Sequence, residues 1–258
     1  MRRTTTALTL TALLLTGCAQ PARHLTTLPT AAAERTPPSW TVNATPYGWL
    51  AGLSGQVGFN DAVADIDLGF GEIARHLRFA GMAAVNGRNG SFLVGADAIY
   101  VSLSGGKAFA VRGASGEVTL DQRETILHPT IGYTFGTTSW GVDALAGLRY
   151  WNLSTALGLD PARLEARSRS GTIDWLDGTA GVRGRVTVAR RIHVTAEGDG
   201  GGGGSRRSWQ AAGAVNYDLS QRSNLVAGYR YLSVDFESNR FLFDTHMNGV
   251  VLGVNFRL

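Results

Sequence analysis

Between Ser139 and Trp151 the chain reads SWGVDALAGLRYW, and its side chains alternate with a period of two. One face carries Gly141, Asp143, Leu145, Gly147 and Arg149; the other carries Trp140, Val142, Ala144, Ala146, Leu148 and Tyr150. A strand in a soluble sandwich hides its uncharged face and shows its charges to water. A strand in a membrane barrel turns its apolar face to lipid and keeps small and charged side chains for the lumen. Ten residues separate Trp140 from Tyr150. At about 3.3 Å per residue and a tilt near 40°, they stand roughly 25 Å apart, the height of the apolar band of an outer membrane. On that reading Asp143 and Arg149 point inward.

The same pattern recurs along the chain. Phe92, Val94, Ala96, Ala98 and Tyr100 share a face opposite Asp97, and Trp209, Ala211, Gly213, Val215, Tyr217 and Leu219 oppose Gln210 and Asn216. Leu176, Ala180, Val182, Val186 and Val188 oppose Asp177, Arg183 and Arg185. Alternation predicts strands over 41–57, 77–86, 91–104, 117–134, 139–153, 174–188, 191–199, 207–219, 223–236 and 244–257. Tight joins such as GRNG (87–90) and FGTT (135–138) alternate with longer ones at 58–76, 105–116, 154–173, 200–206 and 237–243. Short turns on one rim and long loops on the other is the habit of outer-membrane barrels, and ten strands leave both chain ends on the short-turn side. The expected fold is all-β: a closed antiparallel transmembrane up-and-down barrel of about ten strands, with eight or twelve as alternatives. Residues 60–79 complicate the count, since 63–70 reads as a further short strand and 71–77 as a helical turn that would fold over or into the mouth.

Charged residues make up only 17% of the chain, and glycines recur on the charged faces, where a soluble barrel would carry more charge. The +4 formal charge comes from scattered arginines, with Lys107 the single lysine, so no basic patch points to nucleic acid. Arg2 and Arg3 precede an apolar run through Leu15, which reads as an export signal over residues 1–17. Leu15-Thr16-Gly17-Cys18 resembles the lipobox of bacterial lipoproteins, which implies cleavage before Cys18 and acylation of its thiol; the alternative is an ordinary signal cut a little further on. With one cysteine there is no internal disulfide. Residues 18–39 read as a flexible periplasmic linker, and 40–258 as the barrel.

The inward faces place Asp97, Glu124, Asp143, Asp177, Glu197 and Asp199 in one lumen with Arg149, Arg183, Arg185 and Arg230. A barrel this narrow is filled by side chains, and buried charges pair. The network is expected to form a salt-bridged plug or a thin polar path, with Asp97, Asp143 and Asp177 the expected partners of Arg149 and Arg230. His76, His128, His193 and His246 fall on four different runs, and none has a serine placed beside it with an acidic orienter, so no catalytic residue is assigned. His128 shares a face with Glu124, and His193 with Thr195 and Glu197; both read as lumenal hydrogen-bonding groups. No spacing suggests a metal site and no cofactor is expected. Gly200–Gly204 lacks the ending of a phosphate loop and reads as a plain loop.

The segments GLRYWNL (147–153), EGDGGGGGSRRSWQ (197–210) and GYRYLSVDFES (228–238) resemble a family of uncharacterised Gram-negative outer-membrane β-barrel proteins. PYGWLAGLSGQVG (46–58), LRFAGM (77–82) and the C-terminal MNGVVLGVNFRL fit the same pattern, so the resemblance runs from about Trp40 to Leu258. It implies location and fold, a small porin-like barrel, and no substrate. Val250, Leu252, Val254, Phe256 and Leu258 also resemble the terminal strand that the barrel-insertion machinery reads. The expected function is a non-enzymatic outer-membrane barrel, either structural or a narrow porin-like channel. The alternatives are a hydrolase acting on lipid A or phospholipid and a soluble lipid-binding lipoprotein barrel. Expected partners are outer-membrane lipid, lipopolysaccharide and the insertion machinery.

Overall fold

A computed structural model describes residues 39–59, 62–111, 114–137, 139–161, 167–238 and 240–258. The export signal, Cys18 and the linker through residue 38 lie outside the described residues. The elements follow in the order β1 (Thr41–Phe59), β2 (Ala62–Leu68), α1 (Phe70–His76), β3 (Leu77–Asn89), β4 (Phe92–Val111) and β5 (Ala114–Gly136). Then come β6 (Trp140–Pro161), β7 (Arg167–Ala189), β8 (Ile192–Gly203), β9 (Arg207–Asp218), β10 (Ser223–Ser238) and β11 (Phe241–Arg257).

From β3 to β11 each strand pairs antiparallel with the next, and β11 returns to β1 with Leu50 opposite Val250 and Gly48 opposite Leu252. The wall is a closed ten-stranded up-and-down barrel. Closure pairs the strand edges that lipid cannot satisfy, except along β1 and β3, whose ladder stops at Pro46↔Ala83. β2 is an additional strand that pairs only with the far end of β1, from Leu53↔Leu68 to Phe59↔Ala62. Both ends of the barrel chain and the tight turns share one rim. There Gly90 takes a left-handed φ of 59° in the β3–β4 hairpin, as a primed two-residue turn requires.

Three expectations are corrected. The long loops at 105–116 and 154–173 are mostly strand, because β4 and β5 stay in register to Val111↔Ala114 and β6 and β7 to Leu159↔Arg167. Their Ser, Thr and Gly content weakens the alternation without breaking the ladder, whose backbone groups still need partners. The GRNG turn is shorter than expected: Arg88 belongs to β3, pairs with Leu93 and faces inward. Gly200–Gly203 is also strand, the end of β8, with Gly201 opposite both Thr179 and Ser208. Glycine is needed there because a Cβ on Gly201 would overlap the Gly178 carbonyl.

The two faces of the wall differ as sharply as in SWGVDALAGLRYW. Outward stand Val85, Ile131, Val142, Leu148, Leu176, Val182, Val215, Val250 and Leu252, all exposed. Trp40, Phe92, Tyr133, Phe135, Trp140 and Tyr217 ring the short-turn end of this belt, and Phe79, Tyr100, Trp209 and Tyr229 its far end. In water such a surface would be a vast apolar patch; against lipid it is the favoured one.

Candidate functional site

The lumen is filled in two layers. Away from the chain ends, inward side chains form an apolar layer of Trp49, Ile99, Ile126, Trp151, Leu153, Trp175, Leu232, Val234, Phe236, Phe243 and Met247. Trp151 stacks on Trp175 with ring centroids 5.3 Å apart, and Trp175 stacks on Phe236 at 4.2 Å. Phe243 closes on Trp151 edge-to-face at 6.4 Å. Aromatic pairs of this kind each add about 0.5–1.5 kcal/mol beyond the area they bury. Sequence reading missed this layer. On β10 and β11 its residues Leu232, Val234 and Phe243 alternate with Ser233, Asp235 and Asp244 beyond the lipid belt, so the rule that apolar means lipid-facing inverts there.

Nearer the chain ends lies a polar layer. Arg230 on β10 is its hub: Nη1 donates to Asp97 at 2.7 Å and to the Tyr47 hydroxyl at 3.2 Å, and Nη2 donates to Gln210 Oε1 at 2.7 Å. Tyr47 in turn donates to Asp97 at 2.6 Å. Gln210 Nε2 donates to Glu197 at 3.0 Å, and Arg183 donates to the other Glu197 oxygen at 2.6 Å. The two layers meet where the Arg230 guanidinium lies 5.0 Å over the Trp49 ring. That contact uses the cation both as ion-pair partner and as a cap on an aromatic face.

Arg149 is fully buried between the layers. It donates to Asp199 at 2.6 Å and to Ser208 at 3.0 Å. Its partner is therefore Asp199 and not Asp177, although Asp177 is its cross-strand neighbour. The Asp177 carboxylate is taken by Trp175 Nε1 at 3.2 Å and by the Ser205 backbone N–H at 2.7 Å. The glycine run allows this, since Gly203 adopts φ 139° and lets the chain turn back to offer that N–H. Asp143 pairs with neither Arg149 nor Arg230; it accepts from Thr134 at 2.6 Å and from Arg88 at 3.3 Å. The Asn-Gly turn signal of GRNG places Arg88 in a turn and hides this partner, which its pairing with Leu93 on β4 turns inward.

Glu124 and Arg185 both face the lumen, yet neither has an ion-pair partner among the described residues. His128 Nε2 meets the Thr179 hydroxyl at 3.0 Å. At the short-turn rim the His193 ring lies between the hydroxyl of Thr187, its cross-strand neighbour on β7, at 3.1 Å and Asp218 on β9 at 2.8 Å. No cluster of three metal-ligating side chains occurs among the described residues. A cavity of about 300 Å³ sits in the polar layer, lined by Asn86, Asp97, His128, Arg183, Glu197 and Arg230 among others.

The outer membrane protease OmpT from Escherichia coli superposes on this chain with a TM-score of 0.56, covering 84% of this chain and 97% of that one at 9% identity. The chain has the fold of an outer-membrane β-barrel. Neisserial surface protein A matches with a TM-score of 0.30 at 14% identity, covering 85% of this chain and 97% of that one. The attachment invasion locus protein Ail of Yersinia pestis matches at 0.31 and 12%, covering 85% and 98%. No protein-family model matches the barrel sequence, and no curated protein does. At 9% identity, what the chain shares with the protease is the architecture alone.

Proposed function

We propose that the protein is a structural barrel of the Gram-negative outer membrane with a sealed lumen and no catalytic activity. The observation that carries the reading is the aromatic layer of Trp151, Trp175, Phe236 and Phe243, set across the lumen beyond the salt-bridged network. A permeating ion would have to shed its water against these rings, so the barrel holds no standing pore. The outward belt bounded by aromatics supports the membrane location, and the RYW and GYRYL segments support kinship with small uncharacterised outer-membrane barrels. In this reading the chain is exported, Cys18 is acylated, the last strand is read by the insertion machinery, and lipopolysaccharide surrounds the outer half.

Planar-bilayer recording of the refolded protein tests it. The expected trace stays at baseline for protein that shows heat-modifiable migration on gels. Stable unitary steps would replace the sealed barrel with a channel. Hydrolysis of lipid A or phospholipid by the same sample, lost in His128→Ala or His193→Ala, would replace it with an enzyme.

A further inference from the structure

The ladder between β1 and β3 is incomplete. It runs from Thr41↔Arg88 to Pro46↔Ala83 and stops. The same register continued would set Tyr47–Gly52 against Leu77–Met82, where no pairs form. Beyond this stretch the edge of β1 is taken by β2, starting at Leu53↔Leu68. Two features accompany the break. Pro46 has no N–H to offer at the last rung, and β2 takes the edge of β1 from Leu53 onward, where β3 does not reach it.

A window is left in the wall, with α1 as its lintel. The Cβ position of Gly52 on β1 lies 3.0 Å from the Leu68 carbonyl and 3.8 Å from the Phe70 nitrogen, and that of Gly105 on β4 lies 3.2 Å from the His76 ring. Leu77 to Ala80 are exposed in succession, so the inward-outward alternation of β3 fails at the window. Phe79 and Tyr100, with rings 5.9 Å apart, flank it outside at the far girdle. Just inside stand Trp49, Ile99, Ala51 and Met82, part of the apolar layer and its packing shell. Arg78 and Arg123 are exposed beyond the girdle; Arg78 reaches Asp121 at 3.4 Å, and Arg123 has no ion pair among the described residues.

An unpaired strand edge within hydrocarbon is costly, and its N–H and C=O groups need both acceptors and donors. An amide-linked acyl chain carries both, whereas a glycerophospholipid ester carries acceptors alone. We propose that the window is a lateral binding port for an acyl chain of lipid A, the phosphorylated glycolipid of the outer leaflet. The chain lies against Trp49 and Met82, its amide pairs with the free edges of β1 and β3, and its phosphate meets Arg123 and Arg78. The proposal rests on the membrane reading above and adds to it a ligand and an entrance.

The test uses the full chain with a photoreactive benzoylphenylalanine at Met82, refolded into phosphatidylcholine vesicles with and without lipid A. Ala51 serves as a second position if the first fails to fold, and Ile173 on β7, on the opposite wall, as the control. Irradiation is expected to yield a lipid A adduct at the window positions, falling to the Ile173 level in Arg123→Glu. Equal adducts with phosphatidylcholine alone, equal yield at Ile173, or no adduct from a heat-modifiable barrel each overturns the port. Failure of the unlabelled protein to enter vesicles at all overturns the membrane reading, and the port with it.

Discussion

Asp97 on β4 and Arg230 on β10 stand 133 positions apart in the chain and 2.7 Å apart across the lumen. The pair ties opposite walls together, and Tyr47 and Gln210 complete its hydrogen bonding from two further strands. Removing one member leaves the other charged and unpaired in the largely buried polar layer, a loss of about 3 kcal/mol. Arg230→Ala is expected to lower the unfolding midpoint of the refolded barrel, read by the heat-modifiable band shift. Adding Asp97→Asn restores part of the loss, because the orphaned charge is gone. Additive losses from Arg230→Ala and Asp97→Asn would mean that the two side chains are not coupled.

Arg149 distinguishes two candidate carboxylates. Asp177 sits across the strand from it, but the 2.6 Å contact is with Asp199. The Arg149→Ala loss, about 3–5 kcal/mol, is therefore expected to be partly reversed by Asp199→Asn and deepened by Asp177→Asn. The deepening follows because Asp177 holds Trp175 and the Ser205 backbone by separate hydrogen bonds. Rescue by Asp177→Asn in denaturant melts would reverse the assignment.

The barrel was legible in the sequence because the lipid belt enforces strict alternation over every crossing strand, as in Trp140 to Tyr150. The short strand and helical turn within 60–79 were legible too, from one apolar run and one pair of residues at helical spacing. Pairings were not. Facing can be read from parity, but Arg149's choice of Asp199 depends on which strands curl toward each other across the lumen, information absent from any single strand. The apolar layer stayed hidden for a different reason. Beyond the belt, the outward side chains of β10 and β11, such as Ser233, Asp235 and Asp244, are polar while Leu232, Val234 and Phe243 turn inward. Alternation persists there with its meaning reversed.

Gly201 and Gly48 separate two uses of glycine. A Cβ on Gly201 would strike the Gly178 backbone, while one on Gly48 meets nothing within 4 Å. Gly201→Ala is expected to cost about 1–3 kcal/mol by forcing β7 and β8 apart where Asp177 is held. Gly48→Ala, facing outward, stays within about 0.5 kcal/mol of the parent. Equilibrium unfolding in urea reads both, and an unperturbed Gly201→Ala midpoint would remove the close approach as the reason for the glycine run.

Trp175 is the keystone of the seal, since it stacks on both Trp151 and Phe236 and is hydrogen-bonded to Asp177. Trp175→Ala deletes the largest side chain in the middle of the stack, at a cost of about 3–5 kcal/mol if the site does not collapse. The space left joins the apolar layer to the polar one, where Asp97, Arg183 and Glu197 already line a cavity of about 300 Å³. Water and ions then have a continuous route past the arginines. Trp140→Ala removes the same side chain from the lipid-facing girdle, where it is half exposed and blocks nothing in the lumen. Bilayer recordings are expected to show new unitary steps for Trp175→Ala and a silent baseline for Trp140→Ala. Silence from both, with Trp175→Ala folded, would move the seal to the charged layer beneath.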